Sequence, residues 1–167
     1  VQKTDKYTVQ IEDDGVLFFE CNGYGYRYGP SIMKYEDGSA DVWFSSPGNS
    51  GTQWDWIRYS HSEDGLNWSE ETIVLKPTPG SADQCAVCDP GVIYFNNYYY
   101  LGYTATSDYK RNGMNNMAFV ARSSSPDGPF EKWNGSSWGG DPEAIIEYED
   151  DPEGWGIGEL SFVVKDD

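Results

Sequence analysis

Three short segments of the chain fall into one register, and the residue in front of each decides what chemistry the set can do. Gly29 precedes Pro30-Ser-Ile-Met-Lys-Tyr35, Asp89 precedes Pro90-Gly-Val-Ile-Tyr-Phe95, and Glu159 precedes Leu160-Ser-Phe-Val-Val-Lys165. Equivalent positions of a repeat face one shared volume, so Asp89 and Glu159 meet in space although they are distant in sequence. Two carboxyl groups so placed can do general acid–base work, one giving a proton while the other tunes it or takes one. Taken singly, each reads as an ordinary surface group, because Asp before Pro commonly starts a turn and Glu is mostly solvated. Their common register is what makes the pair a candidate.

A third carboxylate stands between two indoles, Trp54-Asp55-Trp56, and Asp41 and Glu20 are weaker alternatives to it. Aromatic side chains beside a carboxylate can offer flat apolar faces to a ligand while the carboxylate takes its polar groups. Tyr24, Tyr26 and Tyr28 alternate with other residues ahead of the first segment, and Trp155 comes shortly before Glu159. Tyr26, Tyr28, Trp54 and Trp155 are therefore the candidate substrate-binding residues, whereas Tyr98–Tyr100, Trp43 and Trp56 read as packing. His61, the only histidine, sits beside the Asp64-Gly65 turn and is a poor candidate for a Ser–His–Asp base. Cys21, Cys85 and Cys88 are too few for a disulfide framework or a closed zinc site, and Cys85-Ala-Val-Cys88 lacks the strand–helix context of a redox motif. Asn67-Trp-Ser69 and Asn134-Gly-Ser136 match the glycosylation tripeptide, which arises often by chance. No cofactor is expected. The acidic run Glu149–Glu153 lacks the ordered spacing of a calcium loop and reads as a solvated turn.

The elements that would position these groups are strands. Tyr7–Ile11 and Val16–Cys21 form an expected hairpin, as do Ser31–Tyr35 and Ala40–Ser45 around Glu36-Asp-Gly-Ser39. Trp54–Ser62, Thr72–Leu75, Gly91–Phe95, Tyr98–Ala105, Met117–Ser124, Ala144–Tyr148 and Leu160–Val164 follow. A second marker repeats: Ser62-Glu-Asp-Gly-Leu-Asn-Trp68 corresponds to Ser125-Pro-Asp-Gly-Pro-Phe-Glu-Lys-Trp133, placing an Asp-Gly turn between the third and fourth strands of each unit. Four short antiparallel strands per repeat describe propeller blades, so the expected class is all-β. The expected organisation is an N-terminal hairpin over 1–27, one blade over 28–80, a second over 81–150 and the first strand of a further blade over 151–167. Propellers close with about four blades or more, so this is an incomplete propeller whose free strand edges need further blades or a second copy of the chain.

Composition narrows the partners. The 167 residues carry a formal charge of −17, which disfavours nucleic acid and anionic membrane surfaces. No apolar run approaches the roughly 20 residues of a spanning helix. The opening VQKTDKYTVQ has no signal-peptide core, so an extracellular or periplasmic mature form is the expectation, with the cytoplasm as the alternative. Aromatics at 16%, with 19 Gly and 9 Pro, exclude a disordered acidic tail and suit short strands with tight turns.

Asp89-Pro-Gly-Val-Ile-Tyr-Phe-Asn-Asn-Tyr-Tyr-Tyr-Leu-Gly-Tyr103 resembles the blade-opening motif of the five-bladed propeller glycosidases. Ala121-Arg-Ser-Ser-Ser-Pro-Asp-Gly-Pro-Phe-Glu-Lys-Trp133 and Gly158-Glu-Leu-Ser-Phe-Val-Val-Lys-Asp166 are similar in the same sense, the family being glycoside hydrolase family 43 with its arabinanases and β-xylosidases. That resemblance implies a base, a modulating Asp and an acid on the inner strands of three successive blades. It places the modulator at Asp89 and the acid at Glu159, and it places the base at the residue before Pro30, which is Gly29. Asp55 is the best substitute for the base. The implied activity is cleavage of glycosidic bonds in plant-type or related oligo- or polysaccharides by inversion. A glycan-binding propeller without hydrolysis is the rival suggested by Gly29. Phosphorolysis is a third reading, for which Arg27 and Arg58 are the available cations.

Overall fold

Residues 40–46 and 101–106 are buried on every side chain, so these runs are strands covered on both faces and lack the alternation of a half-exposed strand. They are the second strands of two sheets in a computed structural model that describes residues 25–50, 52–108, 115–148 and 154–165. The expected N-terminal hairpin, with Glu20, Cys21 and Tyr24, lies outside the described residues, and so does the acidic run 149–153. The first sheet contains β1 (Tyr28–Lys34), β2 (Ala40–Ser50), β3 (Gln53–Ser62) and β4 (Thr72–Leu75). The second contains β5 (Ala86–Phe95), β6 (Tyr98–Thr106), β7 (Met117–Ser123) and β8 (Glu131–Lys132). Both are antiparallel with strands in chain order, and no helix occurs among the described residues. These are two propeller blades.

The Asp-Gly turns sit where the repeat puts them. Asp64 accepts the N–H groups of Leu66 at 2.8 Å and Asn67 at 2.7 Å, which holds its carboxyl well below the usual range. Its counterpart Asp127 takes the Ser125 hydroxyl, and this second turn is tied to the first blade by Trp43, whose Nε1 donates to the Pro126 carbonyl at 2.8 Å. Trp43, Ile57, Leu75, Val87, Leu101, Tyr103 and Phe119 form the core between the sheets. Trp43 is fully buried there, as its packing role requires. Burying such large apolar side chains contributes roughly 1.5–3 kcal/mol each.

Two expected strands are absent, each for a reason of pairing. Ala144–Tyr148 does not supply the fourth strand of the second blade, because Glu131–Lys132 takes the β7 edge at Ala121 and Arg122 directly after the turn. Ile146 is left with an isolated bridge to Ala118, further along that edge. Leu160–Val164 makes no ladder among the described residues. It lies against the second blade where side chains are missing: a Cβ on Gly91 would stand 1.9 Å from the Leu160 carbonyl oxygen.

The link between the blades is held by a buried ion pair. Asp83 is fully buried and accepts the Thr78 N–H at 2.8 Å, the Tyr103 hydroxyl at 3.2 Å and the Lys132 ammonium. Lys132 also donates to the Lys76 carbonyl and, at 2.9 Å, to Thr78 Oγ1, so β8 grips the connection between β4 and β5. Burial pushes the Lys132 amine down, and Asp83 opposes that shift. Removing one partner strands the other charge in the interior. Asp83→Ala is expected to cost about 3–5 kcal/mol in urea unfolding, whereas the apolar double replacement Asp83→Leu with Lys132→Met is expected to cost far less.

Candidate functional site

Gly29, Asp89 and Glu159 share an uncommon backbone conformation, with φ of 56°, 50° and 56°. An L-residue in this left-handed region costs roughly 1–2 kcal/mol, so Asp89 and Glu159 must be held there by their surroundings. In the first two blades the corner is a β-bulge. The β1–β2 register breaks between Tyr28 and Ser31, and the β5–β6 register breaks between Cys88 and Gly91. The hold comes from the preceding blade in each case. The Asp89 N–H donates to Ser45 Oγ at 2.8 Å, and the Glu159 N–H donates to Thr104 Oγ1 at 3.0 Å. Ser45 pairs with Tyr28 and Thr104 pairs with Cys88, so the two hydroxyls occupy equivalent places on β2 and β6.

The three corners surround one cavity of about 530 Å³, lined by Gly29, Asp89 and Glu159 with Pro30, Pro90 and Leu160 among its walls. Asp89 also borders a second cavity of about 360 Å³, whose lining includes Tyr28, Trp54, Asp55, Cys88 and Trp155. Tyr26 reaches this region from the rim, its hydroxyl donating to Asp55 Oδ1 and to the Trp54 carbonyl at 3.0 Å. Glu159, Asp55, Tyr26, Tyr28, Trp54 and Trp155 therefore gather around Asp89. The sequence pattern did not reveal Ser45, Thr104 and Cys88 as members of this neighbourhood. The signal was there for the first two, a hydroxyl at one register position of an otherwise tightly packed second strand.

The electrostatics differ from a buried acid at Glu159. Glu159 is exposed, because only the inner segment of the third unit flanks it among the described residues. Burial raises the Asp89 carboxyl, and the charges of Glu159 and Asp55 add to the rise while the Cys88 thiol and the Thr104 hydroxyl oppose it. Burial also raises Asp55, against hydrogen bonds from Tyr26 and Tyr28. The Cys88 thiol is pushed well up by burial and by both aspartates. Cys85 and Cys88 are buried and stand outside any disulfide.

Asp41 is not at this site. It pairs with Met33 near the far end of β1, where it accepts the Tyr35 and Tyr59 hydroxyls at 2.5 Å each and faces His61 Nδ1 at 2.7 Å. That contact raises the His61 pKa and explains the only histidine as a partner of a buried carboxylate. Arg27 is likewise committed, binding Glu71 through both ends of its guanidinium at 2.9 and 2.8 Å, with Arg58 3.9 Å from the same carboxylate. Neither cation lines the cavities.

Two measurements follow from this geometry. Thr104→Val is expected to lower stability by roughly 1–3 kcal/mol by leaving the Glu159 N–H without its acceptor, and Thr104→Ser is expected to restore most of it. The raised carboxyls bind protons more readily folded than unfolded. Their cost to the fold is therefore full above the folded pKa and is relieved as pH falls through it. Asp55→Asn should raise Tm by a few degrees at pH 7 and lose that advantage in the acid range, as followed by thermal melts.

No protein-family model matches the chain, and a search of curated proteins gives no match. Solved structures do resemble it. Zg3597, a family 117 glycoside hydrolase of the marine bacterium Zobellia galactanivorans, superposes with a TM-score of 0.58 at 24% identity, over 75% of this chain and 42% of its own. A thermostable family-43 glycoside hydrolase gives a TM-score of 0.61 at 18% identity, over 81% and 43%. A β-1,2-mannobiose phosphorylase from Listeria innocua gives 0.60 at 16% identity, over 84% and 39%. The chain spans less than half the length of these structures, and its two blades have the fold of the five-bladed propellers of family-43 glycoside hydrolases, here incomplete.

Proposed function

We propose that the chain is part of a glycoside hydrolase-like protein that cleaves glycosidic bonds of oligo- or polysaccharides by acid–base chemistry. The observation that carries this is the placement of Asp89 and Glu159 at equivalent left-handed corners of one open cavity, in a fold shared with glycoside hydrolases. Glu159 gives the proton to the leaving oxygen. Asp89 tunes it and binds a sugar hydroxyl, and Asp55 activates water in the absence of a carboxyl at Gly29. Water entering between separated carboxyl groups gives inversion. Further blades, or a second copy of the chain, cover edges such as Val163, which is 91% exposed. The working environment is extracellular or periplasmic, and no cofactor takes part.

The specific support for a second reading, a glycan-binding module, is Gly29 itself. Sugar release from a panel of aryl glycosides and neutral oligosaccharides separates the two. Glu159→Gln is expected to lower kcat about 10²–10⁴-fold while saccharide binding persists. Saccharide binding without turnover in the wild-type chain would establish the binding module. Release of a sugar phosphate only in the presence of phosphate would establish phosphorolysis, for which the engagement of Arg27 and Arg58 with Glu71 gives no support. The acid limb of kcat/KM is expected above the usual carboxylate range, because the base must be ionised and burial raises Asp55.

A further inference from the structure

We infer that Cys88 is a positioning residue, whose thiol donates to Asp89 and holds that carboxylate where the two cavities meet. The inference concerns how Asp89 is held, and only its consequence for sugar chemistry rests on the proposed glycoside function. Successive side chains of a regular strand point to opposite faces, so neighbours such as Cys88 and Asp89 ordinarily stand apart. The bulge that follows Cys88 removes that separation. Cys88 Sγ lies 3.4 Å from Asp89 Oδ2 and 3.6 Å from the Thr104 carbonyl oxygen, and both are donor contacts of one buried thiol.

The three corners differ at this position. Tyr28 precedes Gly29, Cys88 precedes Asp89 and Gly158 precedes Glu159. Gly29 has no carboxyl to receive a bond from the residue before it, and Gly158 has no side chain to give one. Nor is there room for one, since a Cβ at Gly158 would stand 2.7 Å from Thr104 Oγ1. A donor therefore meets a carboxyl at the Asp89 corner, which is the corner that borders both cavities.

Asp89 meets Gly29 and Tyr28 from β1, Ser45 from β2, Asp55 from β3, Thr104 from β6 and Glu159 from the third unit. Burial and the charges of Glu159 and Asp55 favour its protonated form, and the Cys88 and Thr104 side chains oppose them. The thiol is suited to this because burial and the two aspartates keep its own proton in place, so it is a neutral donor. Its single proton has two acceptors. An ionised carboxylate is stronger than a peptide carbonyl, so the proton goes to Asp89 while that group is charged and turns to the Thr104 carbonyl when it is not. In the proposed reaction the thiol thus keeps Asp89 ionised and fixed beside Glu159.

Carbon-13 NMR titration of the full 167-residue chain, labelled at its Asp carboxyl groups, follows Asp89 directly, its signal identified by its loss in Asp89→Asn. Cys88→Ala is expected to make Asp89 bind its proton about 2–10-fold more tightly, and Cys88→Ser, which keeps a donor, to restore most of the wild-type titration. Infrared spectra supply a signature that does not require the alanine variant to fold. The Cys88 S–H stretching band, identified by its loss in Cys88→Ser, should shift in the wild-type chain as Asp89 titrates. A thiol that only fills space would lower Tm on truncation and leave both signatures unmoved, and that result overturns the positioning role. A Cys88→Ser titration that matches Cys88→Ala overturns it as well. Neither measurement uses a saccharide, so their failure leaves the glycoside reading standing, and a wild-type chain without turnover overturns that reading alone.

Discussion

A hydroxyl on the second strand of one blade accepting the N–H at the opening corner of the next is the contact on which the site depends. It joins sequence-distant elements, Ser45 to Asp89 and Thr104 to Glu159, and it does so at corners of unfavourable φ. Without an acceptor there, a left-handed Asp or Glu would relax toward the ordinary β region, and the bulge that breaks the register would slide. The carboxylates are thus placed by the neighbouring blade as well as by their own strand. Blade packing and site geometry become one problem.

The same coupling explains the small residues in the second strands. β6 carries Gly102, Thr104 and Thr106 on the face toward the third unit, and a Cβ at Gly102 would come within 2.9 Å of the Leu160 side chain. Small side chains let the third unit settle against the second closely enough for Thr104 to reach the Glu159 N–H. Bulk would add apolar burial but separate the two. On the other side of the blade the demand is opposite, and Trp43, Tyr103 and Phe119 fill the wide space between sheets, with Tyr103 and Phe119 stacked at 5.4 Å. Charge is handled separately again, with Asp83 and Lys132 neutralising each other inside the blade linker.

Much of this was legible in the sequence because repeats constrain it twice. The alignment of Pro30, Pro90 and Leu160 placed Asp89 and Glu159 at one cavity, and Asp64 and Asp127 marked equivalent turns. What failed was local. Ala144–Tyr148 has a strand-like composition, but edge pairing is decided by which segment reaches the edge first, and Glu131–Lys132 follows the turn directly. Asp41 looked like a spare carboxylate because its partners Tyr35, Tyr59 and His61 lie up to 20 residues away in sequence and meet only through strand register. The hydroxyls of Ser45 and Thr104 stand at matching register positions, but nothing in their type says which amide has turned to meet them.

Gly29 shows how sterics and charge act together at such a corner. Its φ of 56° does not by itself demand glycine, since Asp89 and Glu159 adopt nearly the same angle with side chains. The stronger demand is space: a Cβ at Gly29 would stand 3.0 Å from Asp89 Oδ1 and 3.4 Å from the Asp89 Cα. A Cβ there would make the Asp89 carboxylate give by a few tenths of an ångström. An acidic side chain would do more, because Asp89 is already raised by burial and by the charges of Glu159 and Asp55. A further negative group in contact would favour its protonated form still more strongly. With glycine at the first corner, Asp89 keeps its position and escapes that additional charge. Asp55 of β3 stands with Asp89 in the smaller cavity, where the hydroxyls of Tyr26 and Tyr28 counter the effect of burial on it. With no carboxyl at the first corner, the charges that act on Asp89 are those of Glu159 and Asp55, and Asp55 lies on the aromatic side.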